Sequence, residues 1–333
     1  MPGPMARRID VTGAGGVRLA AWEFGDPPKA DPQQISAYAI PAQGAGHDHG
    51  GPDGRSGAYA GGQHHDGRRP GGRADPDGPP GALLLHGLMG RASHWASTAR
   101  WLSGRRRAIA LDQRGHGQSE KPPQAAFSRE AYVEDAEAAL EQLALAPAVL
   151  IGHAMGALTA WQLAARRPDL VCGLIICDMR ASPLGAASQR EWADWFRSWP
   201  TPFATLADVR KWFGEDDPWV ERPSAARGEF YAEVMHESAD GWRPVFDPDQ
   251  MLRTRETWVH DAHWEELAQV RCPALVVRGL DGELGRAEAQ EMVRVLPLGE
   301  YAEVAEAGHL VHYDQPEAWR AAIEPFLDAV HTA

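Results

Sequence analysis

The sequence contains no apolar run near the roughly 18 residues that a membrane-spanning helix needs. Its opening residues, MPGPMARRID, carry arginines with no apolar stretch behind them, so neither a span nor a secretory leader is predicted and a cytoplasmic protein is expected. Cysteine is scarce. Cys172, Cys177 and Cys272 stand at no metal-ligand spacing, and their odd number without a secretion signal argues against a disulfide framework. They read as small buried apolar side chains. Positive charge is in deficit too, with 33 Lys and Arg against 46 Asp and Glu and a formal charge of −13. Like-charge repulsion opposes the sequence-independent part of nucleic-acid or anionic-membrane binding, so neither partner is expected and a small molecule is.

One stretch lacks almost everything a core requires. Residues 27–80 change abruptly in composition, and 41–80 alone hold 12 glycines among scattered Pro, Asp, Arg and His. With so little to bury, such a segment cannot offset its ordering entropy, and a disordered insertion is predicted. His47, His49, His64 and His65 within it have no fixed geometry, so no metal site is expected there, nor any cofactor elsewhere.

What remains is strongly patterned. Residues 1–26 hold two β-like runs, Arg8 to Thr12 and Val17 to Phe24, separated by glycines, which predicts an opening hairpin. From residue 81 short apolar runs alternate with amphipathic segments. The runs are Ala82 to Leu85, Ala108 to Leu111, Ala148 to Ile151, Leu174 to Cys177, Ala274 to Val277 and Tyr301 to Val304. The first five lack polar alternation, as strands of a sheet covered on both faces do. Helix-like segments lie between them, and the whole predicts a doubly wound α/β sheet in residues 81–180 and 271–333. Between them, 181–270 shows no strand-like run and carries eight of the 13 tryptophans, which predicts a helical cap over the C-terminal edge of the sheet. Trp192, Trp195 and Trp212 are the candidates there for contact with an apolar or aromatic ligand.

The chemistry is written at Val149-Leu150-Ile151-Gly152-His153-Ala154-Met155-Gly156. An apolar strand runs into a helix through Gly-x-x-x-Gly, where the central residue sits on a tight turn and the glycines admit neighbouring backbone. With serine at the centre this is a nucleophile elbow, and the helix start offers free N–H groups to a substrate oxygen. Here the centre is Ala154, which has no hydroxyl to attack with.

The chain in this region resembles the α/β-hydrolase superfamily, from about Gly81 to the C-terminus. His86-Gly87-Leu88-Met89-Gly90 resembles the family's turn after its third strand. Asp112-Gln113-Arg114-Gly115-His116-Gly117-Gln118-Ser119 resembles its Asp-x-Arg-Gly-x-Gly-x-Ser loop, and Gly308-His309 with Gln315-Pro316-Glu317 its late Gly-His and Pro-Glu pair. The resemblance implies a mostly parallel eight-stranded sheet with the cap inserted after strand six. It also implies an oxyanion hole from the N–H groups of Leu88 and Met155, and His309 as general base. His86, Gly87, His153 and His312 would line the site. Asp178, at the end of the sixth strand, is favoured as the acid, with Asp281 in the Gly279-Leu280-Asp281-Gly282-Glu283 turn as the alternative. Arg180 is a candidate partner for a ligand carboxylate.

These expectations describe a serine-hydrolase type of enzyme for an ester, lactone, amide or carbon–carbon bond beside a carbonyl, with acyl transfer absent or severely impaired by Ala154. Two alternatives stand beside it. One is a non-catalytic, receptor-like binding protein; the other is a His-dependent lyase or cofactor-free oxygenase that needs no nucleophile.

Overall fold

The computed structural model describes residues 6–25, 78–123 and 126–330. The segment predicted to be an insertion, with its four histidines, falls outside them except for 78–80. Strands β1 (Arg7–Thr12) and β2 (Arg18–Phe24) form the antiparallel hairpin expected from the sequence. Then follow β3 (Ala82–Leu85), α1 (Ala96–Ser103), β4 (Ala108–Asp112), α2 (Arg129–Gln142), β5 (Ala148–His153), α3 (Met155–Arg166) and β6 (Val171–Cys177). The inserted segment supplies α4 (Gly185–Ser198), α5 (Leu206–Lys211), α6 (Ala225–Ala232), β7 (Met235–Ser238), β8 (Gly241–Pro244), α7 (Pro248–Glu256) and α8 (Trp264–Gln269). The chain closes with β9 (Ala274–Gly279), α9 (Arg286–Val295), β10 (Gly299–Val304), α10 (Val311–Asp314) and α11 (Pro316–Ala329).

Eight strands form one sheet in the order β1-β2-β4-β3-β5-β6-β9-β10. Only the β1–β2 and β2–β4 pairs are antiparallel; the other pairings are parallel. The inner parallel strands β3, β4, β5, β6 and β9 read as largely apolar runs because both of their faces are covered, whereas β10 at the sheet edge, GEYAEV, carries two glutamates. Leu83 and Leu85 face one apolar layer with Trp161, while Leu84 faces the other with Trp95 and Trp319. Every parallel strand therefore points its C-terminal end at one edge, and the loops that follow β3, β5, β6 and β9 converge there.

Residues 181–270 depart from the expectation in one respect. They are mainly helical, but β7 and β8 pair as an antiparallel hairpin and Phe203 bridges to Trp242. MHES and GWRP carry neither apolar alternation nor a strong β-former pattern, so the pairing is set by the turn and by tertiary packing. Tryptophans and phenylalanines hold this segment together: Trp195 stacks on Trp219 with centroids 4.6 Å apart, and Phe213 stacks on Tyr231 at 4.1 Å. No helix among the described residues is long and apolar enough to cross a membrane.

Candidate active site

The elbow forms where β5 becomes α3, and its two glycines are obligatory for steric reasons. A Cβ on Gly156 would stand 2.2 Å from the Leu85 carbonyl oxygen, and one on Gly152 would stand 2.4 Å from Ala157 Cα. Ala154 between them has φ 47° and ψ −120°. Its N–H donates to Cys177 O at 3.0 Å, which ties the bend to the end of β6. Met155, the first residue of the 12-residue helix α3, and Leu88, after β3, both line the cleft. Neither N–H has a hydrogen-bond partner among the described residues. The turn carrying Leu88 is braced from behind, as His86 Nδ1 contacts Gly87 O at 2.8 Å and Gln113 N–H donates to His86 Nε2 at 3.0 Å.

Beside the elbow His309 follows β10, and its Nδ1 lies 2.8 Å from Asp178 Oδ2. A carboxylate only accepts, so Nδ1 carries the proton and Nε2 is left to face the cleft as the basic nitrogen. Asp178 is 1 % exposed at the end of β6, with φ 45°. The turn after β9 wraps it: Glu283 N–H donates to Oδ2 at 2.9 Å and Leu284 N–H to Oδ1 at 3.3 Å. Gly282 has to be glycine for this, since a Cβ there would sit 2.6 Å from Asp178 Oδ1. The structure thus brings Asp178 to His309 and gives the turn containing Asp281 a different task. Asp281 points outward at the cleft rim and pairs with Arg222. Burial by itself would lower the His309 pKa, but the negative charges of Glu283, Asp178 and Asp314 outweigh it and raise the imidazole to about 9. His153 Nε2–H donates to the His309 carbonyl at 2.9 Å, fixing the histidine loop against the elbow; burial holds His153 neutral.

The cleft has a volume of about 750 Å³ and is lined from the sheet side by Gly87, Leu88, His153, Ala154, Met155 and His309, and from the inserted segment by Trp192, Trp195 and Trp219 among others. Three expected lining residues are elsewhere. Trp212 packs inside the inserted segment against Phe213 and Trp199, on the side of its turn away from the cleft. His86 is buried beneath the Leu88 turn and supports it rather than facing a ligand. His312 lies in the first turn of a short helix that carries its ring inward, where it stacks on Trp95 at 3.9 Å, and burial lowers its pKa to about 3. Arg180 reaches the cleft but is already engaged, with Nε donating to Glu288 at 2.8 Å.

Among the charged lining residues that the sequence did not single out are Arg222, Arg227 and, on α7, Arg255, together with Glu283, which flanks His309 at 3.9 Å from Nδ1. In sequence Glu283 was only the neighbour of a candidate acid, and Arg255 sits in the polar run MLRTRE, where nothing separates an inward arginine from a solvent-facing one. The Asp112 loop is structural, as the buried Asp112 carboxylate accepts from Ala92 N–H at 2.7 Å, Gln118 N–H at 2.9 Å and Trp22 Nε1–H at 3.0 Å. No cluster of three or more metal-ligating side chains occurs among the described residues.

The resemblance carried by the elbow extends to whole proteins. A 2-(acetamidomethylene)succinate hydrolase of Mesorhizobium japonicum is 28% identical over 256 residues, which is 75% of this chain and 88% of that one. An sn-1-specific diacylglycerol lipase of mouse is 42% identical over 108 residues, 32% of this chain, so the match spans only 34% of the lipase. Among solved structures, that of an E-2-(acetamidomethylene)succinate hydrolase superposes with a TM-score of 0.70 at 22% identity, covering 98% of this chain and 100% of the other, a likeness of fold. Residues 82–322 match the alpha/beta hydrolase family as a whole, and the chain belongs to that family.

Proposed function

We propose that the cleft captures a small molecule with an ester- or amide-like carbonyl, holds the carbonyl oxygen on the N–H groups of Leu88 and Met155, and forms no acyl-enzyme because Ala154 offers only a methyl group. The reading is carried by one observation: the His309–Asp178 pair, 2.8 Å apart, borders the same cleft as the free amides of Met155 on the elbow and Leu88 on the turn after β3. In this reading His309 is the general base of a serine-hydrolase arrangement, Asp178 orients it, and Gly87, His153, Trp192 and Trp195 shape the ligand site beneath residues 181–270 acting as a cap. Aromatic walls suit an apolar or aromatic portion of the ligand. The relatives of similar length named as hydrolases of amide-bearing methylenesuccinates support the carbonyl class. Restoring the hydroxyl is the test. Ala154→Ser, mixed with an activated ester, is expected to release a burst of leaving group equivalent to one per chain; a folded variant inert toward all activated acyl compounds overturns the proposal.

A receptor-like role is favoured by the charge state of His309. With its pKa raised to about 9, the imidazole is mostly protonated at neutral pH, and beside two free amides it is suited to holding an anionic oxygen rather than to taking a proton. The same shift sets a pH dependence in the serine variant. Only neutral imidazole accepts the serine proton, so kcat/KM is expected to climb with pH through about 9. Removing the Glu283 charge by Glu283→Gln takes away the first of the raising influences and moves the climb to lower pH. Rate profiles of the two variants from pH 6 to pH 10 check this, and coincident profiles would refute the part assigned to Glu283.

A further inference from the structure

Four arginines line the cleft, and three have carboxylate partners: Arg180 with Glu288, Arg222 with Asp281, and Arg227 with Asp217. Arg255 is different. It is 3 % exposed, and among the described residues no carboxylate lies within salt-bridge distance of it. Two neutral oxygens of α4 hold its fork instead, with Nη1 donating to Gln189 Oε1 at 2.7 Å and Nη2 to Ser188 Oγ at 2.6 Å. The guanidinium carbon lies 4.8 Å from the centroid of the Trp192 ring, which also faces the cleft.

A buried cation without a counter-ion is costly, and neutral acceptors with one aromatic face compensate only in part. Burial lowers the Arg255 pKa to about 10, so the group keeps its charge at neutral pH despite that cost. Glu283, Glu256 and Glu191 act on it only at longer range. What results is a guanidinium fixed in orientation by α4, stripped of most of its water and bordering the ligand space. That is the form in which arginine recognises a carboxylate, because its planar fork matches two carboxylate oxygens and little freedom is lost on binding.

We propose that Arg255, stacked over Trp192, is an anchor for a carboxylate on the ligand, so that the cleft takes an acid bearing a second, ester- or amide-like carbonyl. The assignment of the second carbonyl rests on the function proposed above; the anchor itself does not. Monomethyl glutarate and dimethyl glutarate differ in one free carboxylate, and the chain with Ala154 can be titrated with each by calorimetry. The monoester is expected to bind more tightly than the diester. Arg255→Gln is expected to weaken the monoester by about tenfold to a hundredfold, the range for hydrogen bonds to charged groups, and to leave the diester unchanged. Arg255→Lys, which keeps the charge and loses the fork, should fall between.

A structural strut between α7 and α4 would instead weaken both esters alike. That result, equal binding of the two esters by the parent chain, or no binding of either, overturns the anchor. The parent comparison needs no variant to fold. If Ala154→Ser proves inert toward neutral activated esters while the monoester still binds through Arg255, the hydrolase reading fails and the anchor stands. If Ala154→Ser is active on neutral esters and shows no preference for acidic ones, the anchor fails alone.

Discussion

Ala154→Ser is expected to hydrolyse p-nitrophenyl acetate about 10⁴ to 10⁶ times faster than the parent chain, since removal of the nucleophile from a dissected serine protease costs about a millionfold in turnover. The lower bound allows for neighbours not tuned around a hydroxyl. What makes so large a gain available from one oxygen atom is that the rest of the geometry is already folded. The bend at 154 is imposed by Gly152 and Gly156, which accept no Cβ, and not by the residue at its centre. His309 is held from two directions, by Asp178 at its ring and by His153 at its carbonyl. Steady-state and pre-steady-state rates of the two proteins decide the matter. A serine variant that folds with an unchanged circular dichroism spectrum and gains less than tenfold would show that the imidazole and the elbow do not act together.

In that serine background Asp178→Asn is expected to lower kcat by about 10³ to 10⁴, the scale seen when the acid of a serine triad becomes an amide. The reason lies in the donors around it. Asp178 Oδ2 accepts from both Glu283 N–H and His309 Nδ1–H and Oδ1 from Leu284 N–H, so an asparagine sets its NH₂ against a donor in either orientation, and in the one that puts the NH₂ at the Oδ2 position it faces His309. The imidazole then receives a donor at Nδ1, carries its proton on Nε2 and cannot accept from serine. Asp281→Asn, which breaks only the exposed pair with Arg222, is expected to change kcat by less than about twofold, as exposed ion pairs contribute little. Equal losses in the two variants would return the choice of acid to the open state it had in sequence.

That choice shows where the sequence is informative. The inner parallel strands were legible because burial on both faces leaves a largely apolar signature, and the elbow because only glycine admits the backbone contacts at 152 and 156. Asp178 and Asp281 both end strands that reach the same edge, so only the path of the turn after β9 separates them. Its amides close around Asp178 and leave Asp281 at the rim. Trp212 and His312 were misplaced because a local pattern does not say which side of a short turn faces the ligand and which faces the core. The β7–β8 hairpin left no trace because its residues alternate in neither polarity nor size.

The bend at 154 has a further consequence for the stability of the fold. A non-glycine residue at φ 47° and ψ −120° is held at about 1–3 kcal/mol above a relaxed conformation. Against a net folding free energy of about 5–15 kcal/mol that is a sizeable fraction, and it persists here although no hydroxyl needs to be lifted into the cleft. Glycine would occupy the same dihedral angles without that penalty, so the methyl group at 154 stands where the chain could become more robust without changing its shape.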